Sequence, residues 1–127
     1  MQYWIAVAVG GALGAMVRYA LSGWVIAQRF PMGTLVVNVI GCALIGALTA
    51  MAVKLDWPGP LARTFLIGGF LGALTTFSTF GYQTIELGRD HGLFWAAVNL
   101  GSNLIIGLLA VIGGIWIGES LANTWNV

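Results

Sequence analysis

Thr75, Thr76, Ser78 and Thr79 share six consecutive positions with Phe77 and Phe80. No nucleophile–base pair accompanies them, so the chemistry they suit is ion handling rather than bond-making. Hydroxyl side chains compete with the backbone for hydrogen bonds and weaken a helix locally. Gly68, Gly69 and Gly72 stand just before them and add backbone freedom. A helix break is therefore predicted near Gly72–Thr79. Carbonyls freed at such a break can coordinate a cation, while freed amides and hydroxyls can face an anion. Phe77 and Phe80, three residues apart, can share one face, and an aromatic ring carries a positive edge that favours an anion.

Other polar residues lie in apolar surroundings. Arg18 is off-centre in the first apolar stretch. It can snorkel to the interface or stand in a water-filled vestibule that draws in an anion. Asn38 can bond across helices or donate to a permeating anion. Asn99, Ser102 and Asn103 form a polar stripe; Asn99 and Asn103, four apart, share a helical face. They are candidates for interhelical bonding or for pore lining.

The elements that carry these residues follow from composition. The chain has 127 residues, 59% hydrophobic and 7% charged, against about a quarter charged in a soluble domain. Lipid must cover most of it. A transmembrane helix needs roughly 20 apolar residues to cross about 30 Å of hydrocarbon. Residues 30–53, 64–85 and 92–118 hold no charge, and the stretch before residue 28 holds only Arg18. The expectation is one all-α membrane domain over 1–127, with helices near 2–27, 32–54, 61–88 (broken near 72–79) and 92–118. Both termini lie on one side. The first helix is expected to be retained, since no Lys or Arg precedes Arg18 as in a signal peptide. Pro31 helps end it, and Pro58, Gly59 and Pro60 stiffen the second link. Trp4, Trp24, Trp57, Trp95 and Trp125 fall near span ends, where aromatic belts form. Cys42 is expected to pack as a small residue and His91 to be an exposed loop histidine.

Lys and Arg normally mark the cytoplasmic side. Here Lys54 and Arg63 flank the links on the side of the termini, and Arg29 and Arg89 those on the other. So weak a bias permits insertion both ways, and an antiparallel homodimer then becomes natural. Gly10/Gly14, Gly68/Gly72 and Gly114/Gly118 have the four-residue spacing that lets helices approach closely, within one subunit or between two.

A net charge of +1 gives no case for a nucleic-acid partner. A small four-helix multidrug or cation exporter needs an intramembrane carboxylate. Helices 1 and 2 have none, Glu119 lies beyond the last charge-free stretch, and Glu86 is at the far end of helix 3. A non-transporting interaction subunit would not need a mid-span hydroxyl cluster.

Along essentially its whole length the chain resembles the Fluc/CrcB fluoride channels. Gly10-Gly11-Ala12-Leu13-Gly14-Ala15-Met16-Val17-Arg18-Tyr19 is similar to the family's helix 1 motif, and Gly33-Thr34-Leu35-Val36-Val37-Asn38-Val39-Ile40-Gly41 to that of helix 2. Gly72-Ala73-Leu74-Thr75-Thr76-Phe77-Ser78-Thr79-Phe80 is similar to the helix 3 core. The resemblance implies a multi-pass protein of the cell inner (plasma) membrane. It implies an antiparallel, dual-topology homodimer with two parallel pores for passive fluoride export. By motif, Phe77 and Phe80 correspond to pore aromatics, Asn38 to the pore amide, and Ser78 and Thr79 to hydroxyls in or beside the path. Arg18 corresponds to a vestibule arginine. Gly72 and Thr75 correspond to backbone carbonyl donors for a structural sodium ion at the dimer interface. Gly81 and Gln83 stand where members often have Ser and Glu, with Glu86 one turn later. Ala73 replaces a common Gly, and the helix 4 polar residues have no one-to-one match.

Overall fold

A chain crossing hydrocarbon must satisfy its own backbone hydrogen bonds, and a helix does so within a single segment. The computed structural model describes residues 1–24 and 30–125, and its regular elements are all helical. Four stretches are long and apolar enough to cross a membrane: Gln2–Ser22, Met32–Leu55, Pro60–His91 and Leu93–Trp125. The first is α1 (Gln2–Trp24) and the second α2 (Met32–Leu55). The expected continuation of the first helix to residue 27, and Arg29 beyond it, lie outside the described residues.

The third span is composite. A short α3 (Pro60–Arg63) opens with proline at its first position, where a missing N–H costs no helical bond. A π-helix follows over Thr64–Leu71, then α4 (Gly72–Leu74). Thr75 (φ −80°, ψ 154°) and Thr76 (φ −149°, ψ 115°) are extended. Helix resumes as α5 (Phe77–His91), ending at Gly92 with φ +92°.

The last span, α6, corrects an expectation. Expected over 92–118, it runs Leu93–Trp125. Glu119 ends the apolar stretch but not the helix, because a charged residue is a good helix former once outside hydrocarbon.

Glycines set the packing. α1 lies on the π-helix, and α2 lies on α6. A β-carbon on Gly10 or Gly14 would run into the carbonyl oxygens of Phe65 or Phe70, and one on Gly69 would crowd Val7 and Gly10. On the other seam, Gly114 and Gly118 face the Ala43 and Ala47 carbonyls, and Gly46 faces that of Val111. Two of the three spaced glycine pairs thus join helices of one chain. The third does not: Gly68 faces open space, and Gly72 meets only Ile67 of its own run.

One cluster of the buried core is Val37, Leu71 and Leu74, with Leu21, Leu48 and Phe70 packed against it. Leu74 adjoins the extended pair Thr75–Thr76 in sequence, and the Leu71 carbonyl accepts from Thr75. Large apolar side chains on α1 and α6 face outward, as lipid contact requires. Aromatic pairs close both ends of the bundle, Trp57 with Trp125 (centroids 6.0 Å apart) and Phe30 with Trp95 (6.5 Å).

Candidate functional site

Two consecutive extended residues release backbone groups that a helix would have paired. In an apolar setting each of these needs another partner. Thr75 keeps one helical bond, its N–H donating to the Leu71 carbonyl at 3.1 Å. Its hydroxyl donates to the same carbonyl at 3.1 Å. The Thr75 carbonyl accepts from Arg18 Nη1 of α1 at 3.3 Å. Thr76 is held from α2. Its N–H donates to Asn38 Oδ1 at 2.9 Å, and its carbonyl accepts from Asn38 Nδ2 at 3.3 Å. Because the Thr76 N–H goes to Asn38, the Gly72 carbonyl loses the helical donor it would otherwise have had, four residues on.

Thr76 also starts α5. Its Oγ1 accepts the Thr79 N–H at 3.2 Å, an N-cap bond, and the same hydroxyl lies 3.0 Å from Thr79 Oγ1 and 3.3 Å from Ser78 Oγ. Of the N–H groups that a helix start leaves over, those of Thr76 and Thr79 are thereby used. Those of Phe77 and Ser78 find no partner among the described residues. They form a donor site at the positive end of the α5 dipole.

Phe77 and Phe80 stand on this helix start with ring centroids 5.5 Å apart and planes at 64°, an edge-to-face pair. Phe80 is buried and Phe77 is 80% exposed. Both line a cavity of about 330 Å³, together with Asn38, Gly72, Thr75 and Asn103.

The structure therefore gathers Phe77, Phe80, Asn38, Gly72, Thr75 and Asn103 on one cavity wall. Ser78 and Thr79 are exposed on the first turn of α5, bonded to Thr76 rather than lining that wall. Arg18 reaches the extended pair from the α1 side. Ser102 donates to its own helix at Val98 (2.6 Å) and is not in the wall. Asn99 is 1% exposed, buried between α5 and α6. Asn38 has no free N–H for a ligand, since its Nδ2 also donates to Asn103 Oδ1 at 3.1 Å.

Sequence reasoning misses two members of the arrangement. Thr84 accepts from Asn99 Nδ2 at 2.8 Å and donates to the Phe80 carbonyl at 2.8 Å. Its signal is visible, a hydroxyl one turn after Phe80. Gly41 lies so close to the Thr75 methyl that a β-carbon there would overlap it; nothing in the sequence announces that contact. Among the described residues no group of three or more His, Cys, Asp or Glu could hold a metal ion.

A family model described as CrcB-like protein, Camphor Resistance (CrcB), matches residues 5–115. The chain belongs to this CrcB-like family. Similar proteins carry the name fluoride-specific ion channel FluC. That of Acidobacterium capsulatum is 42% identical over 127 residues, covering 97% of each chain. That of Geotalea daltonii is 41% identical, covering 96% of this chain and 98% of its own. That of Hydrogenovibrio crunogenus is 43% identical, covering 91% and 89%. These names are those of ion channels, not enzymes. Every cavity residue discussed above falls within the matched region of this CrcB-like chain.

Proposed function

We propose that this protein is a fluoride-selective channel that lets cytoplasmic fluoride leave down its gradient across the cell inner membrane. The observation that carries the proposal is the edge-to-face Phe77–Phe80 pair on the wall of a cavity at the start of α5. Fluoride is strongly hydrated, so a selective path must replace water with fixed donors. The free Phe77 and Ser78 N–H groups, the Ser78 and Thr79 hydroxyls and the positive ring edges are such donors. None of them carries a full charge, so an ion that enters can also leave. Arg18 supplies the nearby positive charge that favours anion entry. The names of the relatives support the choice of fluoride.

The functional unit in this proposal is an antiparallel dual-topology homodimer, with the interruption at Thr75–Thr76 placed at mid-membrane. Gly68 and Gly72, which meet no other helix among the described residues, suit a seam with a second copy. The same seam suits a sodium ion. The Gly72 carbonyl is released from helical bonding, and unwound carbonyls are good sodium donors. Gly72 and Thr75 of two copies would hold it. Thr75 would share its carbonyl oxygen between the ion and Arg18, as its two lone pairs allow. Bound there, a sodium ion would supply fixed positive charge at the seam.

Liposomes loaded with fluoride or chloride test the proposal. With an electrical shunt, purified protein is expected to release fluoride and to leave nearly all chloride inside. Absence of fluoride release from demonstrably folded protein would overturn it.

A further inference from the structure

Among the described residues Asn99 is the most buried polar one, and it does not line the cavity. Its hydrogen bonds nevertheless lead there in both directions. Asn99 Oδ1 accepts from Asn103 Nδ2 at 3.2 Å, and Asn103 also donates to the Asn99 backbone carbonyl at 3.1 Å. Asn103 Oδ1 accepts from Asn38 Nδ2, and Asn38 clamps Thr76. On its other side, Asn99 Nδ2 donates to Thr84, whose hydroxyl donates to the Phe80 carbonyl. Every amide in this chain points the same way: nitrogen to the next oxygen, from α2 through α6 to α5. If Asn103 turned its amide over, it would set nitrogen against the nitrogen of Asn38. The direction of each amide is thus imposed by its neighbour, and linked polar groups of this kind reinforce one another away from water.

We infer that Asn99 is a positioning residue for the ion path. It holds the Asn103 amide in the orientation that accepts from Asn38 Nδ2, and so steadies the clamp on Thr76, and through Thr84 it holds the α5 backbone at Phe80. It touches no ion itself. This inference rests on the channel reading, but its first test does not depend on transport.

Protein labelled with nitrogen-15 at asparagine gives side-chain amide resonances for Asn38, Asn99, Asn103, Asn123 and Asn126. Replacing Asn99 by alanine (Asn99→Ala) is expected to shift the Asn38 resonance and speed its hydrogen exchange at least tenfold. Asn123, which is bonded to Lys54 at the exposed end, should not move. Thr84→Val, which keeps side-chain shape, should shift Asn99 and Asn103 without unfolding the protein. In liposomes Asn38→Ala and Asn99→Ala should each slow fluoride efflux about tenfold, and the double variant no more than Asn38→Ala alone, because both cut one relay. An Asn38 resonance unmoved by Asn99→Ala, or effects that multiply to about a hundredfold as independent sites would, would overturn the inference. Loss of fluoride transport as a property of the native protein would sink the channel reading while leaving the spectroscopic result to stand.

Discussion

Asn38 pairs with one residue, Thr76, through both halves of its amide, accepting from the N–H at 2.9 Å and donating to the carbonyl at 3.3 Å. A single side chain thereby satisfies both backbone groups of an extended residue, in the manner of a neighbouring strand. Asn38→Asp keeps the acceptor and loses both donations. The carboxylate would face the Thr76 carbonyl and Asn103 Oδ1 with no hydrogen to offer either. Fluoride efflux should fall at least about tenfold, matching the roughly 1–3 kcal/mol of a lost buried hydrogen-bond partner. Unchanged efflux would remove Asn38 from this role.

Phe77 and Phe80 differ in burial and should separate function from stability. Phe77→Ile alters a ring that is 80% exposed, so thermal stability should stay within about 0.5 kcal/mol of the native value while fluoride efflux drops sharply. Phe80→Ile should lower both, because that ring is only 4% exposed. Calorimetry on detergent-solubilised protein, paired with liposome efflux, gives the comparison.

Arg18 donates to the Thr75 carbonyl, and a side chain that replaces it can keep that bond only if it carries a donor. Arg18→Leu should destabilise the fold by about 1–3 kcal/mol, Arg18→Gln by less, as read by denaturant unfolding. Under the sodium proposal, exchanging sodium for a bulky organic cation should weaken dimerisation of native protein. Equal dimer dissociation in the two salts would remove the ion from the seam.

Adjacent glycines on α6 offer a control for packing. Gly114→Ala places a methyl against the Ala43 carbonyl, whereas Gly113→Ala places it in open space. The first should reduce folded yield and the unfolding temperature markedly. The second should be neutral or slightly stabilising, since alanine is the better helix former by about 1 kcal/mol. Similar behaviour of the two would argue against the α2–α6 seam.

The four spans are legible in the sequence because charge is scarce and its positions divide the chain into lipid-length pieces. Phe77, Phe80, Asn38 and Asn103 stand out as candidates because polar or clustered aromatic residues are unusual in such pieces. Which groups they serve is not legible. Asn38 can be read equally as a ligand for an anion or as interhelical glue, and only the positions of Thr76 and Asn103 show that both of its N–H hydrogens are engaged. The π-helix at Thr64–Leu71 is not foreseen from the sequence; in the structure α1 lies against it, close at Gly69. The length of α6 escapes a charge-based rule, since charge limits a span and not a helix.

Thr75 is held by α1 and Thr76 by α2, and both of those helices precede the pair in the chain. Synthesis runs from the N-terminus, so Arg18 and Asn38 are made before the segment whose backbone they must satisfy. The extended pair need never wait in lipid with its polar groups bare. Asn103 is made last, and its bond to Asn38 can close only when α6 arrives. The order of the helices in the gene thus matches the order in which the membrane would demand them.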